Sequence, residues 1–241
     1  MTVKNVVEDA LLLKRYVAAV FDATFALGAA TAVAPISLSA SRTLLDRWVR
    51  KQRTRFGINV KTVDNSGTDY TSPPYVFVHL NQTTLAETLI WPSEIPTAYR
   101  IIMNLEFALI PFVGWSLMAQ GAPVVVRQWP AQAKRAVGRA KELLRDGVAI
   151  AVSIEGRRSM DGGLSPYKKG PAHLAIEAQA TIVPFVLRGA RTLLPYGEWR
   201  LRPGCVEVEF LPLIRTNGLT LADRDALTAK LREVAEAHLL R

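Results

Sequence analysis

Five short runs of β-branched and apolar residues punctuate the chain after residue 60, with helical patterns between them. They are Tyr75–His79 (YVFVH), Pro123–Arg127 (PVVVR), Val148–Ser153 (VAIAVS), Ile182–Leu187 (IVPFVL) and Val206–Leu211 (VEVEFL). Strands that are apolar on successive positions, not alternate ones, must be covered on both faces, which is the situation in layered α/β folds. Gln132–Asp146 and Gly170–Ala180 carry helical periodicity between the runs, and Leu221–Leu240 closes the chain as a further helix. The expected fold is therefore α/β: a mixed central sheet flanked by helices, preceded by an N-terminal membrane-associated helical segment. The turn-rich stretch Asp64–Pro74 (DNSGTDYTSPP) marks the expected boundary, with a helical, membrane-associating segment at 1–60 and the main domain at 61–241.

Composition excludes several classes. With 49% hydrophobic residues in 241, the chain has enough apolar surface for a core, and disorder is excluded as its main state. The single cysteine, Cys205, rules out an intramolecular disulfide framework, and the three scattered histidines (His79, His173, His238) have no metal-ligand spacing, so no metal site is expected. Cys205 precedes a strand without a basic neighbour and reads as a small core residue. A net charge of +9 points to a polyanionic partner. Nine Lys and Arg against four acids fall within the first 60 residues. Tyr16–Ala40 carries only Asp22 as a charge, and the basic stretch Ser41–Phe56 follows it. Asp22 and Pro35 interrupt a secure spanning helix, leaving an interfacial helix or a buried Ala-rich packing helix as the two readings. In Ser41–Phe56, Leu45, Trp48 and Val49 share one face, with Arg42, Arg47, Arg50, Lys51 and Arg53 around the rest. That pattern suits an anionic membrane surface, or alternatively a solvated helix packed by its apolar stripe. No recognition motif of a nucleic-acid module is present, so nucleic acid is not an expected partner.

His79 ends the first buried run, at the carboxyl edge of a strand where open α/β sheets carry ligands. A neutral imidazole there suits a general base acting on a hydroxyl, although a lone histidine at a strand end is more often a hydrogen-bonded structural residue. A second polar cluster follows another apolar strand: Glu155-Gly156-Arg157-Arg158-Ser159, then Tyr167-Lys168-Lys169-Gly170 leading into a helix. Its arginines are planar forks matched to phosphate oxygens. Gly156 gives the backbone freedom to turn closely, and Glu155 is suited to tying the loop by hydrogen bonds. Lys168 and Lys169 sit beside a helix amino terminus, a setting for a second anion.

Taken in order, these residues resemble the glycerophospholipid acyltransferase superfamily, which includes the 1-acyl-sn-glycerol-3-phosphate acyltransferases. The resemblance covers roughly residues 70–215 in four blocks. The first, His then four residues then Asp, is met by His79, but Thr84 stands at the Asp position. The second, a Gly, an apolar strand and an Arg, is met by Gly121 and Arg127. The third, Glu-Gly-Thr-Arg-Ser, appears as Glu155 to Ser159 with Arg157 in place of Thr. The fourth, an apolar strand centred on Val-Pro, is Ile182–Val186.

The resemblance implies acyl transfer from acyl-CoA or acyl carrier protein to the hydroxyl of a lysophospholipid-like acceptor, lysophosphatidate above all, with no further cofactor. It implies His79 as the base and Arg127 and Arg158 as holders of the phosphate, on the cytoplasmic face of a membrane. Glu87, three residues beyond Thr84, is the one nearby acid able to replace the missing Asp, and Thr84–Glu87 also spells a capping box. Pro111–Trp115 is expected near the acyl path. Two alternatives stay open: a catalytically inactive lipid-binding relative, and an acyltransferase using a lyso-aminolipid or glycolipid acceptor.

Overall fold

The computed structural model describes residues 3–126 and 128–239. Helix α1 (Val3–Val33) turns at Pro35, and helix α2 (Leu38–Phe56) starts behind Ser37, whose hydroxyl accepts from the Ala40 N–H at 3.2 Å. Gly57 ends α2 with φ +67°, and a Cβ there would lie 2.9 Å from the Pro203 Cβ, so this sharp exit into strand β1 (Ile58–Asp64) requires glycine. Then follow β2 (Tyr75–His79), β3 (Tyr99–Ile101), β4 (Met103–Asn104), α3 (Leu105–Ala108), α4 (Val113–Ala119), β5 (Val124–Val125), α5 (Pro130–Arg145), β6 (Ala149–Ser153), α6 (Gly170–Ala178), β7 (Thr181–Arg188), α7 (Ala190–Leu193), β8 (Gly204–Phe210) and α8 (Arg224–Leu239). Between β2 and β3 the chain makes two short 3-10 turns, Leu85–Leu89 and Trp91–Ser93.

Six strands form one sheet in the order β1-β8-β7-β2-β6-β3. All neighbours are parallel except the β7–β8 pair, so the sheet is mixed, as the sequence leads one to expect. The strand expected at Pro123–Arg127 is shorter: among the described residues only Val124–Val125 forms a strand, and it pairs with β4 in a separate two-stranded ladder. The Asp64–Pro74 loop joins two strands of the same sheet, and residue 60 falls inside β1.

Alternation along β2 divides the core. Val76 and Val78 face α5, α6 and α8, packing with Leu143, Leu174 and Leu231. Tyr75 and Phe77 face the other way, into a cluster with Phe185, Phe210, Trp91 and the inner side of α1 and α2. Fully burying one such side chain contributes about 1.5–3 kcal/mol, so either face of the sheet supplies a large share of the stability. By the same alternation His79 falls on the α1/α2 side.

Helix α1 lies along the domain. Asp9 pairs with Arg200, the Tyr16 hydroxyl donates to Trp199 O and accepts from Leu201 N, and Asp22 pairs with Lys51 and Arg55. Its outer side exposes Val17, Val20, Phe21 and Phe25, and only 17% of the most apolar 18 residues within Val7–Val33, a stretch long enough to cross a membrane, is buried. A buried packing helix is therefore not what this segment forms. The basic face expected on α2 is also reduced. Arg42 pairs with Asp46, and Lys51 and Arg55 with Asp22, while Arg53 is buried, so Arg47 and Arg50 are its arginines without an ion pair among the described residues. Cys205 is exposed, not a core residue, because it sits on the outward side at the start of β8.

Candidate active site

The carboxyl ends of β2 and β6 stop side by side, His79 in register with Ser153. Both chains then leave the sheet, and Ile154 N–H still donates to His79 O at 3.0 Å. The loops that follow line a cavity of about 1050 Å³, in whose wall His79, Glu87, Arg157, Arg158 and Lys168 all appear. Residues 79 and 158 are far apart in sequence and meet here because parallel neighbouring strands deliver their following loops to the same edge of the sheet.

His79 is 1% exposed, its ring stacked on Phe185 with centroids 5.0 Å apart and near the Trp91 ring. Its Nδ1 lies 3.8 Å from Oε2 of Glu87. The other carboxylate oxygen of Glu87 is fully engaged, accepting from Thr83 N (2.7 Å), Thr83 Oγ1 (2.9 Å) and Thr84 N (3.1 Å). Of the two roles read from the sequence, the capping box is formed by one oxygen of Glu87, and the other oxygen faces the imidazole at 3.8 Å without a hydrogen bond. Two buried atoms are left without a partner, His79 Nε2 and Glu87 Oε2. Burial disfavours charge on both groups, pushing the imidazole down to about 3 and the Glu87 carboxyl up to about 8. The ring is thus kept neutral, with a lone pair available.

Thr84, at the position where the resemblance calls for Asp, points elsewhere: its hydroxyl donates to Leu194 O at 2.7 Å. Gly156 has φ +66°, a conformation that favours glycine and lets the 155–159 loop fold back. Glu155 is buried and staples that fold, one oxygen accepting from Gln82 N and the other from Ser165 N, while burial raises its carboxyl to about 7. Ser159 is likewise turned inward, donating to Asp161 Oδ1 at 2.8 Å and accepting from Gly162 N at 3.0 Å. Arg157 is exposed on the cavity wall, and Arg158 is half-buried with its guanidinium 5.1 Å from the Tyr196 ring centroid.

The two lysines separate. Lys168 lines the cavity, whereas Lys169 swings to Asp225 on α8 at 2.6 Å and does not join it. Arg127 lies outside the described residues. Phe112 packs against Ala23 and Leu27 of α1 and Leu45 of α2, Trp115 lies exposed against the Phe112 ring, and it is Phe107 and Ile110 that reach the cavity wall. His173 and His238 are remote, held to Glu177 and Val234 O. Among the described residues no group of three or more His, Cys, Asp or Glu side chains is arranged to hold a metal. Tyr196 joins the cavity wall from the distant α7–β8 connection through tertiary contacts alone, and no sequence pattern signals it; Gln82, also in the wall, lies only three residues beyond His79.

Fold and motif order agree with the resemblance read from the sequence. Residues 77–188 match the family model described as Acyltransferase, and the chain belongs to the glycerophospholipid acyltransferase superfamily. Among curated proteins it is similar to 1-acyl-sn-glycerol-3-phosphate acyltransferase alpha of Homo sapiens, with 31% identity over 162 residues, covering 67% of this chain and 57% of that protein. It is also similar to the 1-acyl-sn-glycerol-3-phosphate acyltransferase of Limnanthes douglasii, 26% identical over 181 residues, covering 74% and 63%. The chain thus spans less than two thirds of the length of either relative. Among solved structures, the 1-acyl-sn-glycerophosphate (LPA) acyltransferase PlsC from Thermotoga maritima superimposes with a TM-score of 0.76 at 21% identity, over 98% of each chain, and shares the fold.

Proposed function

We propose that the protein transfers an acyl chain from a thioester donor, acyl-CoA or acyl carrier protein, to the free hydroxyl of lysophosphatidate, giving phosphatidate and free thiol. The single observation that carries this reading is the pair of unpartnered buried atoms, His79 Nε2 and Glu87 Oε2, in the wall of a cavity that also holds Arg157 and Arg158. The acceptor hydroxyl gives its proton to Nε2 as its oxygen bonds to the thioester carbonyl carbon. Collapse of the tetrahedral intermediate breaks the C–S bond, and the thiolate takes the proton back from the imidazolium. Throughout, ionised Glu87 accepts from Nδ1–H, which fixes the tautomer and stabilises the imidazolium; the 3.8 Å gap closes by about 1 Å to make that bond. Arg158, Arg157 and Arg127 hold the phosphate, with Lys168 available for a second anionic group. Relatives named as 1-acyl-sn-glycerol-3-phosphate acyltransferases support lysophosphatidate as the acceptor.

Helix α1, lying along the domain with an apolar outer face, supports an interfacial attachment, on the cytoplasmic side where acyl thioesters are available. The test is purified protein with labelled acyl-CoA or acyl carrier protein and a panel of lysophosphatidate, lyso-aminolipid and lysoglycolipid acceptors. Acylation of lysophosphatidate that His79→Ala abolishes is the expected result. Preference for an uncharged or amino acceptor overturns the acceptor assignment, and a folded protein inert with every donor and acceptor overturns the enzyme reading.

A further inference from the structure

Arg158 is unusual among the arginines of the cavity region. It is half-buried, yet makes no hydrogen bond or ion pair among the described residues; its guanidinium carbon lies over the face of Tyr196, 5.1 Å from the ring centroid. Tyr196 belongs to the connection between α7 and β8, a segment held at several points. Leu194 O accepts from Thr84 Oγ1 at 2.7 Å, Leu193 O from Arg202 N at 2.8 Å, and Trp199 O and Leu201 N both bond the Tyr16 hydroxyl of α1. The Tyr196 hydroxyl itself makes no hydrogen bond among the described residues.

We propose that Tyr196 is a positioning residue: its ring, held by this anchored segment, keeps the Arg158 guanidinium flat in the cavity wall with its N–H donors free for the acceptor's phosphate. A free arginine loses rotamer freedom on binding an anion, and a stacked one has already lost it. Ring stacking restrains the plane of the fork without consuming any donor, which an acidic partner would do. The same anchoring explains what Thr84 does in place of an acid. Its hydroxyl ties the loop after His79 to the segment carrying Tyr196, so base and phosphate holder share one frame. This inference rests on the proposed lysophosphatidate site.

The test compares Tyr196→Leu and Tyr196→Phe with wild type in two readouts: steady-state acylation, and calorimetric binding of detergent-dispersed lysophosphatidate against monoacylglycerol. Tyr196→Leu is expected to raise KM and Kd for lysophosphatidate about tenfold while leaving kcat and the donor KM unchanged. Tyr196→Phe, which keeps the ring, behaves as wild type, and Tyr196→Leu adds nothing in an Arg158→Ala background. Unchanged lysophosphatidate binding in Tyr196→Leu overturns the proposal, as does an equal loss in Tyr196→Phe or an additive loss with Arg158→Ala. Wild type that binds lysophosphatidate over monoacylglycerol but acylates nothing sinks the enzyme reading and leaves the Tyr196 comparison decided by binding.

Discussion

The chemistry proposed at His79 depends on the ionisation of its neighbour. Only the carboxylate form of Glu87 can accept from Nδ1–H, and burial lifts that carboxyl to about 8. The acid limb of kcat/KM is therefore expected to rise with pH through a midpoint well above the ordinary carboxylate range. Glu87→Gln keeps the cap of the 3-10 turn but cannot ionise, so a pH–rate series on it should show a plateau lowered by about two to four orders of magnitude and no such limb. Near-normal turnover in Glu87→Gln alongside a dead His79→Ala would remove Glu87 from the mechanism. Stability follows the same ionisations. Unfolded Glu87 loses its proton near 4.5 and folded Glu87 near 8, so the fold loses stability as pH rises across that window. Unfolded His79 binds a proton below 6.5 and the buried ring resists it down to about 3, so stability also falls as pH drops through that range. Melting curves across pH should show Glu87→Gln losing less on the alkaline side than wild type. The His79–Glu87 pair was legible in the sequence because strand end and turn are contiguous. Lys169 was misplaced because adjacent side chains at a helix start diverge, and sequence does not say that Asp225 of α8 stands beside one of them.

At the scale of elements, the segment that presents Glu87 is two short 3-10 turns, not the start of a longer helix, and a helix outside it holds it in place. Arg53 of α2 is 8% exposed and donates to Leu89 O, Ile90 O, Ser93 Oγ and Glu94 Oε1, while Arg42 donates to Pro92 O. Helical periodicity assigned Arg53 to a charged outer face. Periodicity tells which residues share a side of the helix, but not which side finds acceptors in another segment. Removing a buried charged donor strands its acceptors and leaves Glu94 without its cation, at about 3–5 kcal/mol. Arg53→Met is expected to lower thermal stability accordingly and to reduce kcat by loosening Glu87. A variant as stable and active as wild type would show that the turns hold themselves. The five apolar runs were legible as strands wherever a full central position awaited them. Pro123–Arg127 was not, since only Val124 and Val125 find a partner strand, in a ladder outside the main sheet.

Across the whole molecule, α1 carries the largest group of exposed apolar side chains. Phe21 and Phe25 of α1 are exposed, and so are Leu109 at the end of α3 and Trp115 and Met118 of α4, the helix that packs beside α1. Most cations of α2 are neutralised internally, so the attachment to lipid is expected to be chiefly apolar. Flotation with vesicles should show Phe21→Ser/Phe25→Ser weakening binding at least tenfold, and 0.5 M salt having the smaller effect. Loss of binding in salt with the double variant unaffected would return the anionic surface to first place. The central claim, that the cleft joining His79 to Arg158 transfers an acyl group to a phosphate-bearing lysolipid, is tested most directly by single-turnover thiol release. With acyl thioester and excess lysophosphatidate, one equivalent of thiol should appear per equivalent of phosphatidate in wild type, and neither in folded His79→Ala. Thiol and phosphatidate released by His79→Ala at the wild-type rate would contradict it.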